Sequence, residues 1–272
     1  MAQIIIQEAA FETAFPSDLH DDFWVDADRD PFEGIEDQIG GLDHLLIAGD
    51  LTNKPKVRWK YAFERLSKLL PLERVSIFPG NHDFYDFRLD GEDRLEQIAS
   101  VFGVGYVQKK QLVFGSTRVL CATLWTDFEL GAGRTINESH ASARMNDFRH
   151  IRVASRGYRK LRPSDLVLAH RNQLDWLSGA LAEDFGGQTF VATHHAPHPS
   201  VLEKHDGNIA AAYASDLSEL ILKHRPERWF FGHCHGVRNS SVGDTQLINV
   251  SLGYPDEIAD PAARIRDLIF EI

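Results

Sequence analysis

Five short apolar runs constrain this chain most: His44 to Ala48, Arg74 to Phe78, Arg118 to Leu124, Thr189 to Ala192 and Arg228 to Phe231. Between them, Lys56 to Leu70, Pro163 to Glu183 and Ser215 to His224 carry apolar residues at helical spacing. Strand-length runs alternating with helical patterns predict a layered α/β fold. Every run except the third stops directly on a polar cluster: Gly49-Asp50, Pro79 to Asp83 ("PGNHD"), Thr193 to Pro197 ("THHAP") and Gly232 to His235 ("GHCH"). Polar residues at several strand ends point to a crevice along one sheet edge, where open α/β sheets bind ligands.

The clusters share one chemistry. Asp18 and His20 in "SDLH", Asp50, Asn81, His82, Asp83, His194, His195, His233 and His235 are oxygen and imidazole donors without a thiolate. Such a set suits Mn, Fe, Zn, Ni or Co in a reactive centre rather than a structural zinc site. In an extended segment residues i and i+2 face the same way, so Asp18 with His20, and His233 with His235, are each expected to turn two donors toward one point. Cys234 then faces the opposite way, as a small buried side chain. Glycines 49, 80 and 232 suit tight turns and close backbone approach.

Composition limits the function classes. With 272 residues, 43% of them hydrophobic, the chain can bury a large core, and one domain over 1–272 with an insertion at about 125–162 is expected. A net charge of -11 disfavours stable nucleic-acid binding through phosphate attraction, and leaves a small anionic substrate wherever positive charge or metal is concentrated. Cys121 and Cys234 make no disulfide framework, and no signal peptide or apolar run of about 20 residues is evident, which reads as a cytoplasmic protein without a membrane partner. Oligomeric state has no signature here.

In order and spacing, the clusters resemble the signature of the calcineurin-like metallophosphoesterase superfamily: D-x-H, G-D, G-N-H-D, a lone H and G-H-x-H, all present between residues 18 and 235. The resemblance implies a four-layer α/β/β/α sandwich of two mixed β-sheets flanked by helices, with a metal site at strand ends. It implies two ions, with Mn, Fe or Zn the expected metals, bridged by Asp50. Asp18, His20, Asp50 and His235 would bind one, and Asp50, Asn81, His194 and His233 the other. Two ions about 3.5 to 4 Å apart activate a bridging water for in-line attack at phosphorus. His82 would protonate the leaving group or stabilise transition-state charge, with Asp83 orienting it. The expected activity is hydrolysis of a phosphodiester on a small or nucleotide-like substrate. A phosphomonoesterase, a protein phosphatase and a non-catalytic metal-binding scaffold are the alternatives.

Substrate choice should lie in the insertion, where Arg144, Arg149, Arg152, Arg156, Arg159, Lys160 and Arg162 cluster in an otherwise acidic chain. Two readings stand for it: a solvated basic loop, or an insertion that leans over the metals, with Asn146, Arg149 or His150 near the phosphate and Trp125 or Phe148 against an apolar or base-like group. His195 is expected to face substrate or support a ligand. His170 reads as a packing residue, and His44, His198, His205 and His224 receive no role in the site. Two segments compete to be the first strand: Phe11, Thr13 and Phe15 by alternation, and Gln3 to Gln7.

Overall fold

The computed structural model describes residues 3–6 and 11–272, the side chains of 3–6 and of His205 excepted. Two sheets form its centre. One orders its strands Ile269–Glu271, Glu12–Ala14, His44–Ala48, Val75–Phe78 and Gly105–Tyr106, parallel throughout except at the first pair. The other runs Gln3–Ile6, Lys110–Phe114, Thr117–Ala122, Gln188–Thr193, Arg228–Phe231, Thr245–Asn249 and Ser240–Val242. Its antiparallel pairs are Lys110–Phe114 with Thr117–Ala122, and Thr245–Asn249 with Ser240–Val242.

Why the runs are apolar throughout follows from which face each residue takes. Leu45 and Ile47 pack with Trp59, Phe63, Leu95 and Ala99 of the helices Pro55–Leu66 and Glu92–Val101. Leu46 and Ala48, pointing the other way, join Phe78, Phe114, Phe190 and Phe230 between the sheets. On the far side, Leu120, Val191, Trp229 and Phe231 pack against Leu177, Ala180, Leu181 and Ile221 of Pro163–Ala182 and Ser218–His224. Period-two alternation thus buries both faces of each central strand, which removes the polar half of the usual pattern. The layers are helix, sheet, sheet, helix, as the motifs implied.

Both candidate first strands form, in different sheets. Glu12–Ala14 pairs with His44–Ala48 and feeds Asp18, whereas Gln3–Ile6 pairs in parallel with Lys110–Phe114; Gln7 lies outside the described residues. Phe15 stacks on Phe230 across the sheets with centroids 4.3 Å apart, a geometry that adds about 0.5 to 1.5 kcal/mol to the burial itself. Just beyond, Ser17 N–H donates to Val250 O and Leu252 N–H to Ser17 O, both at 2.8 Å, so the carboxyl ends of the two sheets are tied together. The run Arg118 to Leu124, which ended on no polar cluster, stops as a strand at Ala122. Its next carbonyl, Thr123 O, accepts the N–H groups of His194 and His195.

The stretch 125–162 contains the helices Arg134–Arg144 and Asp147–His150 and the strands Ile151–Val153 and Arg159–Lys160. With Phe87–Arg88 these strands make a separate three-stranded sheet.

Candidate active site

The donor pairs converge, but not by extended alternation. Asp18, His20, Asp50 and His233 have φ of 53°, 42°, 58° and 62°, so the chain turns left-handed at the donors themselves. The D-x-H and G-D loops lie side by side through Asp18 N–H to Gly49 O and His20 N–H to Asp50 O. Such turns force close approach of backbone to side chain. A methyl on Gly80 would overlap Asp50 Oδ1 and stand 2.6 Å from His194 Cε1, and one on Gly232 would overlap Ser17 Oγ and stand 2.7 Å from Asp18 Oδ2.

Asp50 lies at the centre. Its Oδ1 accepts the His82 N–H at 2.8 Å, while Oδ2 is 3.4 Å from His194 Nε2 and 3.9 Å from His20 Nε2. On one side of it, Asp18 Oδ1 is 3.4 Å from His235 Nε2, and His235 Nε2 is 3.3 Å from His20 Nε2. On the other, Asn81 Oδ1 is 2.9 Å from His194 Nε2, and donor atoms of Asp50, His194 and His233 lie within 4.8 Å of one another. Asp18 Oδ1 and His233 Nε2 are buried without a hydrogen-bond partner among the described residues.

Hydrogen bonds decide which lone pairs face inward. His194 Nδ1 lies 3.1 Å from Ala48 O, which can only accept, so Nδ1 carries the proton and neutral Nε2 presents a lone pair. Asn81 Nδ2 donates to the buried Asp147 Oδ1 at 2.9 Å, which turns Asn81 Oδ1 to the centre. Asp50 Oδ2, Asn81 Oδ1 and His194 Nε2 are therefore three acceptors facing one another, an arrangement that is repulsive without positive charge between them.

Where protons rather than an ion supply that charge, the titration shifts record how strongly the site calls for it. Burial opposes ionisation of Asp50, yet His194, His82 and His20 outweigh it and hold the carboxyl well below the usual range. Asp18 is likewise held low against burial, by His235 3.4 Å away and by the charges of His194 and His20. Against the same burial, Asp50 raises His194 to about 9, and Asp18 and Glu257 raise His235 to about 10. Two buried carboxylates, an amide oxygen and inward-facing imidazole nitrogens fit hard or borderline divalent cations in both clusters.

The remaining expected residues divide. His82 lines the cleft, with Nδ1 2.9 Å from Asn53 Oδ1; Asn53 Nδ2 donates to Asp22, which pairs with Arg58. Asp83 does not orient His82. Its carboxylate points away and accepts the N–H groups of Asp50, Leu51, Thr52 and Gly80 and the Trp59 indole, so it builds the loop that carries Asp50. Burial and the Asp50 charge push this acid up to about 7 against those donors.

Asn146 lines the cleft as expected, but Trp125 is 1% and His195 2% exposed. The two rings pack together, centroids 5.1 Å apart, beneath the site, where the Trp125 ring also meets Phe84. Neither ring meets substrate: Trp125 is a packing residue, and His195 lies behind the donors, its ring 4.3 Å from that of His233 and 5.2 Å from that of His194 between centroids. Phe148 is also buried. Arg149 is exposed outside the cleft lining, bonded to Asn146 Oδ1 and Ala143 O; Arg144 and Arg238 are the guanidinium groups that line it. His170 is buried and bonds Trp125 O, His44 is buried against Ser76, and Cys234 is buried. The His205 side chain lies outside the described residues.

Sequence reasoning missed Asn53, Asp147, Tyr254 and Glu257. Asp147 had one signal, as the only acidic residue between Arg144 and Arg162. Among the described residues, no helix is long and apolar enough to cross a membrane.

Comparison with known proteins joins this geometry to a family. The family described as calcineurin-like phosphoesterase matches residues 13–237. A phosphopantetheinyl hydrolase, PptH, from Mycobacterium tuberculosis has a similar structure, with TM-score 0.63 and 16% identity over 97% of each chain. A candidate 5′-nucleotidase from Staphylococcus aureus aligns at TM-score 0.46 and 11% identity over 89% of this chain and 48% of its own, a likeness too low to bear on function. No curated protein matches the chain in sequence. With the D-x-H, G-D, G-N-H-D and G-H-x-H donors gathered at the carboxyl ends of two packed sheets, the chain belongs to the calcineurin-like phosphoesterases, metal-dependent hydrolases of phosphoesters.

Proposed function

We propose that the chain hydrolyses a phosphodiester of a small or nucleotide-like compound at a two-ion centre. Asp18, His20, Asp50 and His235 are the donors for one ion, and Asp50, Asn81, His194 and His233 for the other. The observation that carries this reading is Asp50 Oδ2, which faces His194 Nε2 at 3.4 Å and His20 Nε2 at 3.9 Å and so serves both clusters. Ions of Mn, Fe or Zn held there supply Lewis acidity at the phosphoryl oxygens and a nucleophile at neutral pH.

The chain's own residues do the rest. His82, its ring held by Asn53 and stacked on Tyr85, faces the cleft and in its protonated form can donate to the leaving oxygen. The diester reading is supported by the cleft itself. About 460 Å³ in volume, it continues past the donors to Met145, Ile209, Tyr213 and Arg144, more room than phosphate needs, with a mostly polar lining that suits a polar, nucleotide-like group. The name of the structurally similar phosphopantetheinyl hydrolase fits such a substrate.

Metal analysis followed by hydrolysis of bis-p-nitrophenyl phosphate against p-nitrophenyl phosphate, with Mn added, tests the reading. We expect two ions per chain and a higher kcat/KM for the diester. A clear preference for the monoester would defeat the diester assignment and leave the ion assignment standing.

The rim residues give a second test. Arg144 lines the cleft beside the donors and is exposed, so its guanidinium is placed to meet an anionic part of the substrate. Arg144→Ala should lower kcat/KM on a nucleotide-like diester about 10-fold, as loss of one charge-assisted contact does. Arg149→Ala should leave it unchanged, and the reverse order of effects would reassign the contact.

A further inference from the structure

We infer that the two ion positions are retained unequally, and that Glu257 is a positioning residue that sets, through His235, the retention of the weaker one. The inference rests on the two-ion reading above.

The clusters differ in what stands behind them. Around Asp50, Asn81, His194 and His233 the supports are interior: His194 Nδ1 is held by a main-chain carbonyl between the sheets, and Asn81 by the buried Asp147. In the cluster of Asp18, His20 and His235, Asp18 and His20 are buried, but His235 is backed from the surface. The His235 side chain is 20% exposed, and its Nδ1 lies 2.6 Å from Oε2 of Glu257, a carboxylate that is itself 42% exposed. An imidazole binds a metal through one nitrogen with the proton on the other. A carboxylate at Nδ1 therefore selects the tautomer with Nε2 free, aims the ring and raises the ligand's basicity.

One turn, 253–257, touches all three donors of this cluster. Gly253 N–H donates to Asp18 O at 3.1 Å. The Tyr254 ring stacks on His20 at 4.5 Å between centroids and meets His235 at 4.8 Å. Glu257 Oε2, besides facing His235, accepts the Tyr254 N–H at 2.9 Å and so closes the turn on itself. Gly253 has φ 99°, and a methyl there would stand 2.9 Å from Glu257 Oε2, so the turn needs glycine to bring the carboxylate in. None of these contacts reaches His194 or Asn81.

Metal content against chelator tests the inference without reference to activity. Protein loaded with Mn is dialysed against a graded series of chelator, and ions per chain are counted by mass spectrometry. Wild type should lose its ions in two steps. Glu257→Ala should shift the first step to chelator concentrations about 10- to 100-fold lower and leave the second in place, the usual cost of losing a ligand's hydrogen-bond partner. Glu257→Gln, which keeps an acceptor without the charge, should fall between. Superimposable curves for wild type and both variants, or equal displacement of both steps, would overturn the inference. A wild-type protein that binds fewer than two ions would remove the two-ion reading itself, a failure distinct from an unresponsive Glu257.

Discussion

Asp50→Ala should be the most damaging single change in the chain, reducing metal content to one ion or none and kcat/KM by about 10³-fold or more, since metal ions supply several kcal/mol of transition-state charge stabilisation. The reason is geometric. Asp50 Oδ2 is the carboxylate oxygen that faces both His20 and His194, so its removal takes a donor from each cluster at once, whereas loss of Asp18 or His233 touches one. Stability needs a separate control, because Asp50 sits at φ 58°, where alanine is strained by about 1 kcal/mol or more. Asp50→Asn tolerates that conformation, keeps the volume and loses the charge. Both variants should unfold cooperatively, and both should fail in metal analysis. Two ions and near-normal turnover in either one would end the bridging assignment.

Much of this site could be read from the chain because four of the five donor blocks follow strands whose two faces are both buried. Burial erases the polar half of the strand pattern, so the change from "HLLIA" to "GD", or from "RWFF" to "GHCH", marks a strand end without ambiguity. The geometry of convergence was not legible. A left-handed turn announces itself through glycine, but here aspartate and histidine adopt it, and only the neighbouring loops that lock them explain why.

Partner choice was equally hidden where adjacency misleads. Asp83 follows His82 in sequence, yet its carboxylate reaches the N–H groups of Asp50, Leu51 and Thr52 on the preceding strand's loop, and His82 takes Asn53 instead. In the basic insertion, composition indicates that guanidinium groups gather but not which faces the cleft. Arg144 ends one helix at the rim, while Arg149 belongs to the next short helix and bonds back to Ala143 O. Glu257 lies 22 residues beyond His235 in a turn that belongs to no donor block.

His82→Ala should behave unlike any ligand change: near-wild-type metal content, with turnover lower by about 10²-fold or more, the usual scale for a positioned acid or base. Its contribution to Asp50 is made by the backbone N–H at 2.8 Å, which alanine retains, so the carboxylate at the centre keeps its support. What disappears is the ring, held by Asn53 Oδ1 and stacked on Tyr85 at 4.1 Å between centroids. Because the ring also lies near His20 and Asp50, within reach of a shared ion, metal analysis is the first measurement: loss of an ion would make His82 a ligand. If both ions remain, the leaving group decides its role. A proton donor matters little when p-nitrophenolate departs and greatly when an alkoxide does, so the loss should be larger for an alkyl ester than for a p-nitrophenyl ester. Equal losses on both would assign His82 to stabilising charge on the phosphoryl oxygens rather than to protonating the leaving group.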